Sequence, residues 1–212
     1  MSTMSSQSLP FLSKDAFATA IEHLAHHIDT YSPYLSYEIK TSAFDKEDLY
    51  IEITRTISSE TGQATSQNGD EDGDFNAEIE EDEEDDDDPE EFIRPLSTPT
   101  HRVTYSITLS PIYSVPILHF SINTPPPTPP TPVSLDDVYE LLVPPSKREE
   151  VRGLGVQGGI SQCEHPYTGK VVWFIHPCRT GDVLREFGEG LTIERYLSIW
   201  IGVFGGVAGL VL

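Results

Sequence analysis

The sequence predicts an α+β domain in which an antiparallel sheet of about four to six strands carries helices on one face. Three observations lead there: a helical apolar stripe near the N-terminus, several runs that alternate with period two, and further helical stripes after the last of those runs. A chain of 212 residues suits one domain with a sizeable core, so residues 1–212 are read as a single unit.

The elements follow in chain order. Phe17, Ile21, Leu24 and Ile28 recur at spacings of four, three and four, which puts them on one helix face behind the N-cap candidate Ser13. The other face carries Glu22, His23, His26 and Asp29. His23 and His27 sit one turn apart, as metal ligands on a helix can, but no third ligand is in view and they read as solvated residues. Tyr37 and Ile39 come next. Leu49, Ile51 and Ile53 then alternate with Tyr50, Glu52 and Thr54, and Val103, Tyr105, Ile107 and Leu109 alternate with Thr and Ser. Both runs read as half-buried strands.

Between them, Ser58 to Glu91 (58–91) is charged and poor in apolar residues, an acidic insertion that cannot bury enough surface to order itself. The turn Ser110-Pro111 leads to a third strand, Tyr113 to Phe120, whose Pro116 suggests an edge position or a bulge. Residues 124–132 hold six prolines in nine positions, a stiff connector that needs no partner although it has the look of a polyproline ligand. Ser134 and Asp137 form a capping box for a short helix with Leu135, Val138, Leu141 and Leu142. Tyr139 to Leu142 mimics an aromatic-x-x-leucine docking motif, but on a helix such residues pack inward. Ile160 to Glu164 and Val171 to Ile175 read as two strands about the turn His165 to Gly169. Val183, Leu184 and Phe187 suggest one helical stretch, and Ile193, Tyr196, Leu197, Trp200 and Ile201 another.

The formal charge of −22 is concentrated in one place. Asp70 to Glu91 holds 16 acidic residues and no Lys or Arg, which leaves 19 acidic against 13 basic residues elsewhere, a net −6. The remaining chain is therefore mildly acidic, and with no basic stripe it is not expected to bind nucleic acid. Cys163 and Cys178 make neither a disulfide framework nor a metal knuckle, so free thiols in a reducing compartment are expected. Met1 to Pro10 lacks the pattern of a secretory signal, and a cytoplasmic location follows as the expectation. Tyr196 to Leu212 is uncharged over 17 residues, with glycines at small-xxx-small spacing. The glycine run and the lack of a flanking basic cluster favour a buried helix, glycine turns and a short apolar strand; no stable membrane insertion is expected.

Chemistry concentrates at the end of the last strand. Val171 to Ile175 runs directly into His176-Pro177-Cys178, the place where a rigid scaffold hands the chain to a loop. Pro177 fixes its own φ and restricts His176 to extended geometry, which aims the thiol. His176 could lower the thiol pKa, orient the neighbouring backbone, or bond structurally; a Cys beside a His is by itself a weak sign of a nucleophile.

The segment His176-Pro177-Cys178-Arg179-Thr180 resembles the active-site segment of the autophagy-related protein 10 family of conjugating enzymes. The sister family, autophagy-related protein 3, shares His-Pro-Cys but typically continues with Lys-His-Ala, so Thr180 tips the choice. Tyr113 to Phe120, the helix Leu135 to Leu142, Ile160-Ser161-Gln162 with His165-Pro166, and Tyr196 to Trp200 are similar to the same family in the same order. The resemblance implies a ubiquitin-conjugating-enzyme-like fold and a two-step transfer. An activating enzyme would pass a ubiquitin-like modifier resembling autophagy-related protein 12 to Cys178 as a thioester, and a lysine of an acceptor protein resembling autophagy-related protein 5 would then attack it. Recruitment to the site of autophagosome formation would follow, and no cofactor is implied.

Ordinary ubiquitin-conjugating enzymes carry a His-Pro-Asn several residues before the cysteine; here His-Pro-Cys stands instead, with no local Asn for the oxyanion. Backbone amides after Cys178, or Thr180, are candidate substitutes, and Gln162 and Tyr105 are candidate groups for positioning the lysine. Two other readings compete: an enzyme of the sister type that transfers a modifier to phosphatidylethanolamine, and a non-enzymatic interaction module or tail-anchored adaptor that uses the acidic tract.

Overall fold

The computed structural model describes residues 8–42, 48–58, 100–123, 133–153 and 159–212. Of the features expected above, the acidic stretch beyond Ser58 and the connector 124–132 lie outside the described residues.

Helix α1, Lys14–Tyr31, begins where the sequence places it: the Ser13 hydroxyl accepts the Ala16 amide at 3.2 Å and Asp15 occupies the first turn. Phe17, Ala20, Ile21, Leu24, Ala25 and Ile28 form its buried face. Four strands follow, β1 (Ser36–Thr41), β2 (Leu49–Ser58), β3 (Thr100–Leu109) and β4 (Pro116–Asn123). Then come α2 (Leu135–Leu142), a 3₁₀ turn Pro145–Lys147 and α3 (Arg148–Gly153), and the hairpin of β5 (Ile160–Glu164) with β6 (Val171–Ile175). A 3₁₀ turn Pro177–Arg179, α4 (Thr180–Arg185), a 3₁₀ turn Gly188–Gly190, α5 (Ile193–Phe204) and a 3₁₀ turn Gly205–Ala208 complete the described order.

The six strands form one sheet in the order β1-β2-β3-β4-β6-β5, every neighbour antiparallel. The fold class read from the sequence holds. Ile51, Ile53, Val103, Tyr105, Ile107, Leu118, Phe120, Trp173 and Ile175 share one core with the apolar faces of α1 and α5, which pack side by side. Period-two alternation thus puts one side chain in two under helices, where each contributes roughly 1.5–3 kcal/mol of burial. The capping box of α2 forms in full, with the Ser134 hydroxyl accepting Asp137 N–H and the Asp137 carboxylate accepting Ser134 N–H at 2.8 Å.

Several expectations are corrected. β2 runs on through Ser58, which pairs with Thr100, so β3 starts before the first apolar residue of its alternation. β4 begins at Pro116, not Tyr113, and lies between β3 and β6 rather than at an edge. Proline is tolerated there as the first residue of a strand, opposite Leu109. Past α5 there is no terminal strand; Gly209 adopts φ 72° and the Leu210 amide returns to Gly205 O at 2.9 Å, which buries Leu210. Among the described residues no helix is long and apolar enough to cross a membrane. α3 gave no signal in the sequence.

Candidate active site

β6 is hydrogen-bonded on both sides, and Ile175, its last residue, faces Leu118 of β4 and Ile160 of β5. Trp173 and Ile175 are buried, so the strand is clamped in all directions as it delivers the chain to His176. His176 stays extended (φ −67°, ψ 127°), as a residue before proline must, and Pro177 opens the 3₁₀ turn. The His176 ring then folds back so that Nδ1 accepts the Cys178 amide at 3.1 Å. The ring thereby serves as the N-cap of the turn that carries the thiol and orients its backbone.

Cys178 is half-buried and neither cysteine forms a disulfide. Arg179 beside it is exposed, whereas Thr180 is only 2 % exposed and begins α4. The amide of Thr180 donates to Pro177 O. The Cys178 and Thr180 amides in this turn therefore already have acceptors, and the Thr180 side chain is buried.

The turn between β3 and β4 supports the histidine. Ser110 N–H bonds to Val115 O at 2.9 Å, and Ser114, at φ 53°, has its carbonyl held by the Leu12 amide at 2.7 Å. Left-handed backbone at a non-glycine residue is uncommon, and here the hydrogen bonds on both sides over-determine it. This turn brings the Tyr113 ring edge-on to His176, with centroids 6.0 Å apart, while Phe174 flanks the imidazole at 6.1 Å. Tyr113 lies in this turn, before β4, and its place beside the site is not among the expectations from the sequence. The signal available was an aromatic residue in a turn closed by Pro116, three positions on.

The remaining candidates fall elsewhere. Tyr105, Phe120, Trp173 and Gln162 make one row across β3, β4, β6 and β5. Tyr105 is fully buried in that row, and its hydroxyl donates to Ala208 O at 2.8 Å. Burial pushes the phenol well above its usual range. Its hydroxyl is thus committed to the core, on the helix-covered side, and the lysine-positioning role assigned to Tyr105 is not supported by this placement. Gln162 is exposed on β5, opposite Trp173 and two rows from the end of β6. Only His176 and Thr180 share a turn with Cys178.

The opposite face of the sheet holds a second polar group. His165 Nε2 lies 2.8 Å from Ser106 Oγ, His119 Nε2 lies 3.2 Å from Thr108 Oγ1, and Cys163 Sγ lies 3.6 Å from His119 Nδ1. Burial, with His165 nearby, lowers the His119 pKa to about 3, and burial raises the Cys163 thiol. A neutral imidazole beside a neutral thiol makes this a structural contact. It lines a groove of about 620 Å³ walled by Leu12, Leu109, Ile117, Tyr167 and Phe174.

The family model described as autophagocytosis associated protein, active-site domain, matches residues 16–212. The chain is 42 % identical over 108 residues to the Gibberella zeae protein named ubiquitin-like-conjugating enzyme ATG10, an alignment covering 51 % of this chain and 45 % of that protein. It is 28 % identical over 110 residues to the Homo sapiens protein of the same name, covering 50 % and 48 %. The chain spans about half the length of the curated relatives it matches. With the family model covering nearly all of the folded sheet and helices, the chain belongs to the autophagocytosis-associated protein active-site domain family.

Proposed function

We propose that this protein is a thioester-forming conjugating enzyme of autophagy, with Cys178 as the residue that carries the modifier. The observation that supports this most is the placing of the thiol. It stands in a capped turn at the end of a strand clamped on both sides, in a chain whose relatives are named ubiquitin-like-conjugating enzymes. In the first step the Cys178 thiol exchanges with the activating enzyme's thiol at the carbonyl of the modifier's C-terminal glycine, so one thioester forms as another breaks. In the second, a neutral lysine amine of an acceptor protein attacks that carbonyl, the thiolate leaves, and the lysine's proton returns to solvent or thiolate.

A thioester needs little more than position, because thiolate is a good leaving group, and the rigid turn supplies position. His176 acts here as a positioning residue: its ring fixes the backbone of Cys178. Nucleotide is consumed by the activating enzyme, so no cofactor is required of this chain. By resemblance the modifier is of the autophagy-related protein 12 type and the acceptor of the autophagy-related protein 5 type. Thr180, where the sister family has the middle residue of Lys-His-Ala, favours protein lysine over phosphatidylethanolamine.

The test is charging with the activating enzyme, modifier and ATP. Wild type forms an adduct that reductant cleaves, Cys178→Ala forms none, and Cys178→Ser traps an ester that reductant leaves intact. An unchanged adduct in Cys178→Ala overturns the assignment. Conjugate appearing on phosphatidylethanolamine vesicles and not on a protein lysine moves the chain to the sister activity.

A further inference from the structure

We infer that the outer edge of β5 is the docking strand for the extended C-terminal tail of the modifier, and this inference rests on the reading of Cys178 as the thioester site. A sheet has two edges, and here they are not equivalent. β1 is separated from β6 by β2, β3 and β4, whereas β5 lies directly beside β6. Among the described residues β5 pairs only with β6, so its other side presents unpaired backbone groups, a ready template for an added strand. Gln162 and Glu164 are exposed and Ser161 and Cys163 half-buried, so nothing described covers this edge.

Direction and reach both fit. Ile160, the first residue of β5, is opposite Ile175, three residues before Cys178, and Glu164, the last, is opposite Val171. β5 therefore runs away from the thiol. A tail whose carboxyl end must arrive at Sγ runs the other way, which makes the added pair antiparallel, the more stable of the two ladders. Such a strand lies about 10 Å from β6, two strand spacings. Three or four further residues at about 3.3 Å each cover that offset and end at the thiol. The tail so recognised is an extended segment whose last residues are glycine or similarly small, because they leave the ladder and cross to a half-buried sulfur.

The edge also has what a reversible site needs. With five residues it is short, and Glu164 at its far end guards against indiscriminate pairing between copies. Backbone hydrogen bonds there contribute modestly each, so the covalent link at Cys178 supplies the high effective concentration that makes docking favourable.

Amide hydrogen exchange on the full chain carrying Cys178→Ser distinguishes the outcomes. The probe is the autophagy-related protein 12 of the same organism, loaded as an ester by its activating enzyme. In the uncharged protein the amides of Ile160–Glu164 that face β6 exchange slowly and the alternate, outward ones fast. In the ester-linked conjugate the outward amides slow at least about tenfold. A proline at Ser161 or Gln162, whichever amide points outward, removes that protection and leaves the β6 ladder intact. If the ester forms and the outward amides exchange as fast as before, docking at β5 is overturned while the thioester reading stands. If no ester forms, the thioester reading falls and takes this inference with it.

Discussion

At the scale of the residue, the site depends on how His176 is held. Its Nδ1 accepts the Cys178 amide, which ties the ring to the backbone of the turn. Tyr113 edge-on and Phe174 beside it keep the imidazole over the turn. Replacing His176 with Ala removes the cap and both ring contacts. The expected cost is about 1 kcal/mol of stability, and if the thiol's position is lost in the same proportion, charging slows roughly fivefold. Asn, whose side-chain oxygen is also a good cap, restores most of the charging rate. Equal rates for His176→Ala and wild type in a single-turnover charging assay would remove the positioning role.

At the scale of the element, the sheet has a covered face and a polar face, and the polar one makes stability sensitive to acid. His119 on β4 is held neutral between Thr108 and Cys163, with His165 against it, and its pKa falls from 6.5 to about 3. His165, buried beside Ser106, Tyr50 and Tyr167, is lowered too, mainly by desolvation. Both groups bind a proton more readily in the unfolded chain. Stability is therefore complete above about pH 6.5 and declines as pH falls toward the folded value, with a slope of up to about 1.4 kcal/mol per pH unit for His119. Urea unfolding between pH 7 and pH 5 shows this decline before most carboxylates titrate. His119→Leu starts less stable, since Thr108 loses its partner, but its slope is shallower; a slope equal to wild type assigns the acid sensitivity elsewhere. This face was only partly legible in the sequence. Alternation marks Ile51, Ile53, Tyr105 and Ile107 as inward-facing, and the structure agrees. It marks Tyr50, Ser106, Thr108 and His119 as outward, yet all four are buried. The hairpin tip, carrying His165 and Tyr167, folds across them, a long-range event with no local pattern. The same limit hid Tyr113, whose neighbour His176 is 63 positions away. The turn that carries Cys178 is legible because a strand, a proline and the thiol are contiguous.

At the scale of the whole molecule, the last eight residues close the fold rather than trail from it. Ala208 O receives the Tyr105 hydroxyl from the centre of the sheet, Gly209 O receives the Arg55 guanidinium, and Val211 O receives the Tyr34 hydroxyl. Ala208 and Leu210 are fully buried, and Gly209 packs on Leu142 of α2. One short segment thus links β2, β3, α2 and the loop after α1, which packs this uncharged, glycine-rich stretch into the core. The turn that starts this closure has no room for a side chain. A Cβ on Gly205 would sit 2.6 Å from Leu210 O and 2.8 Å from Ile201 Cγ2. The first of these is backbone and cannot rotate aside, so the turn must open and draw Leu210 from its pocket. Gly205→Ala is expected to cost about 1–3 kcal/mol, against roughly 1 kcal/mol for Tyr105→Phe, which loses one buried hydrogen bond without a change of shape. Gly206 has nothing within 4 Å of the same added atom, so Gly206→Ala serves as the matched control and stays near wild type in thermal unfolding. Charging at Cys178 should be preserved in Tyr105→Phe below its melting transition, since its hydroxyl faces the helices. A loss of lysine transfer in that variant, with folding intact, would return Tyr105 to the catalytic machinery and require a different path from the core to the thiol.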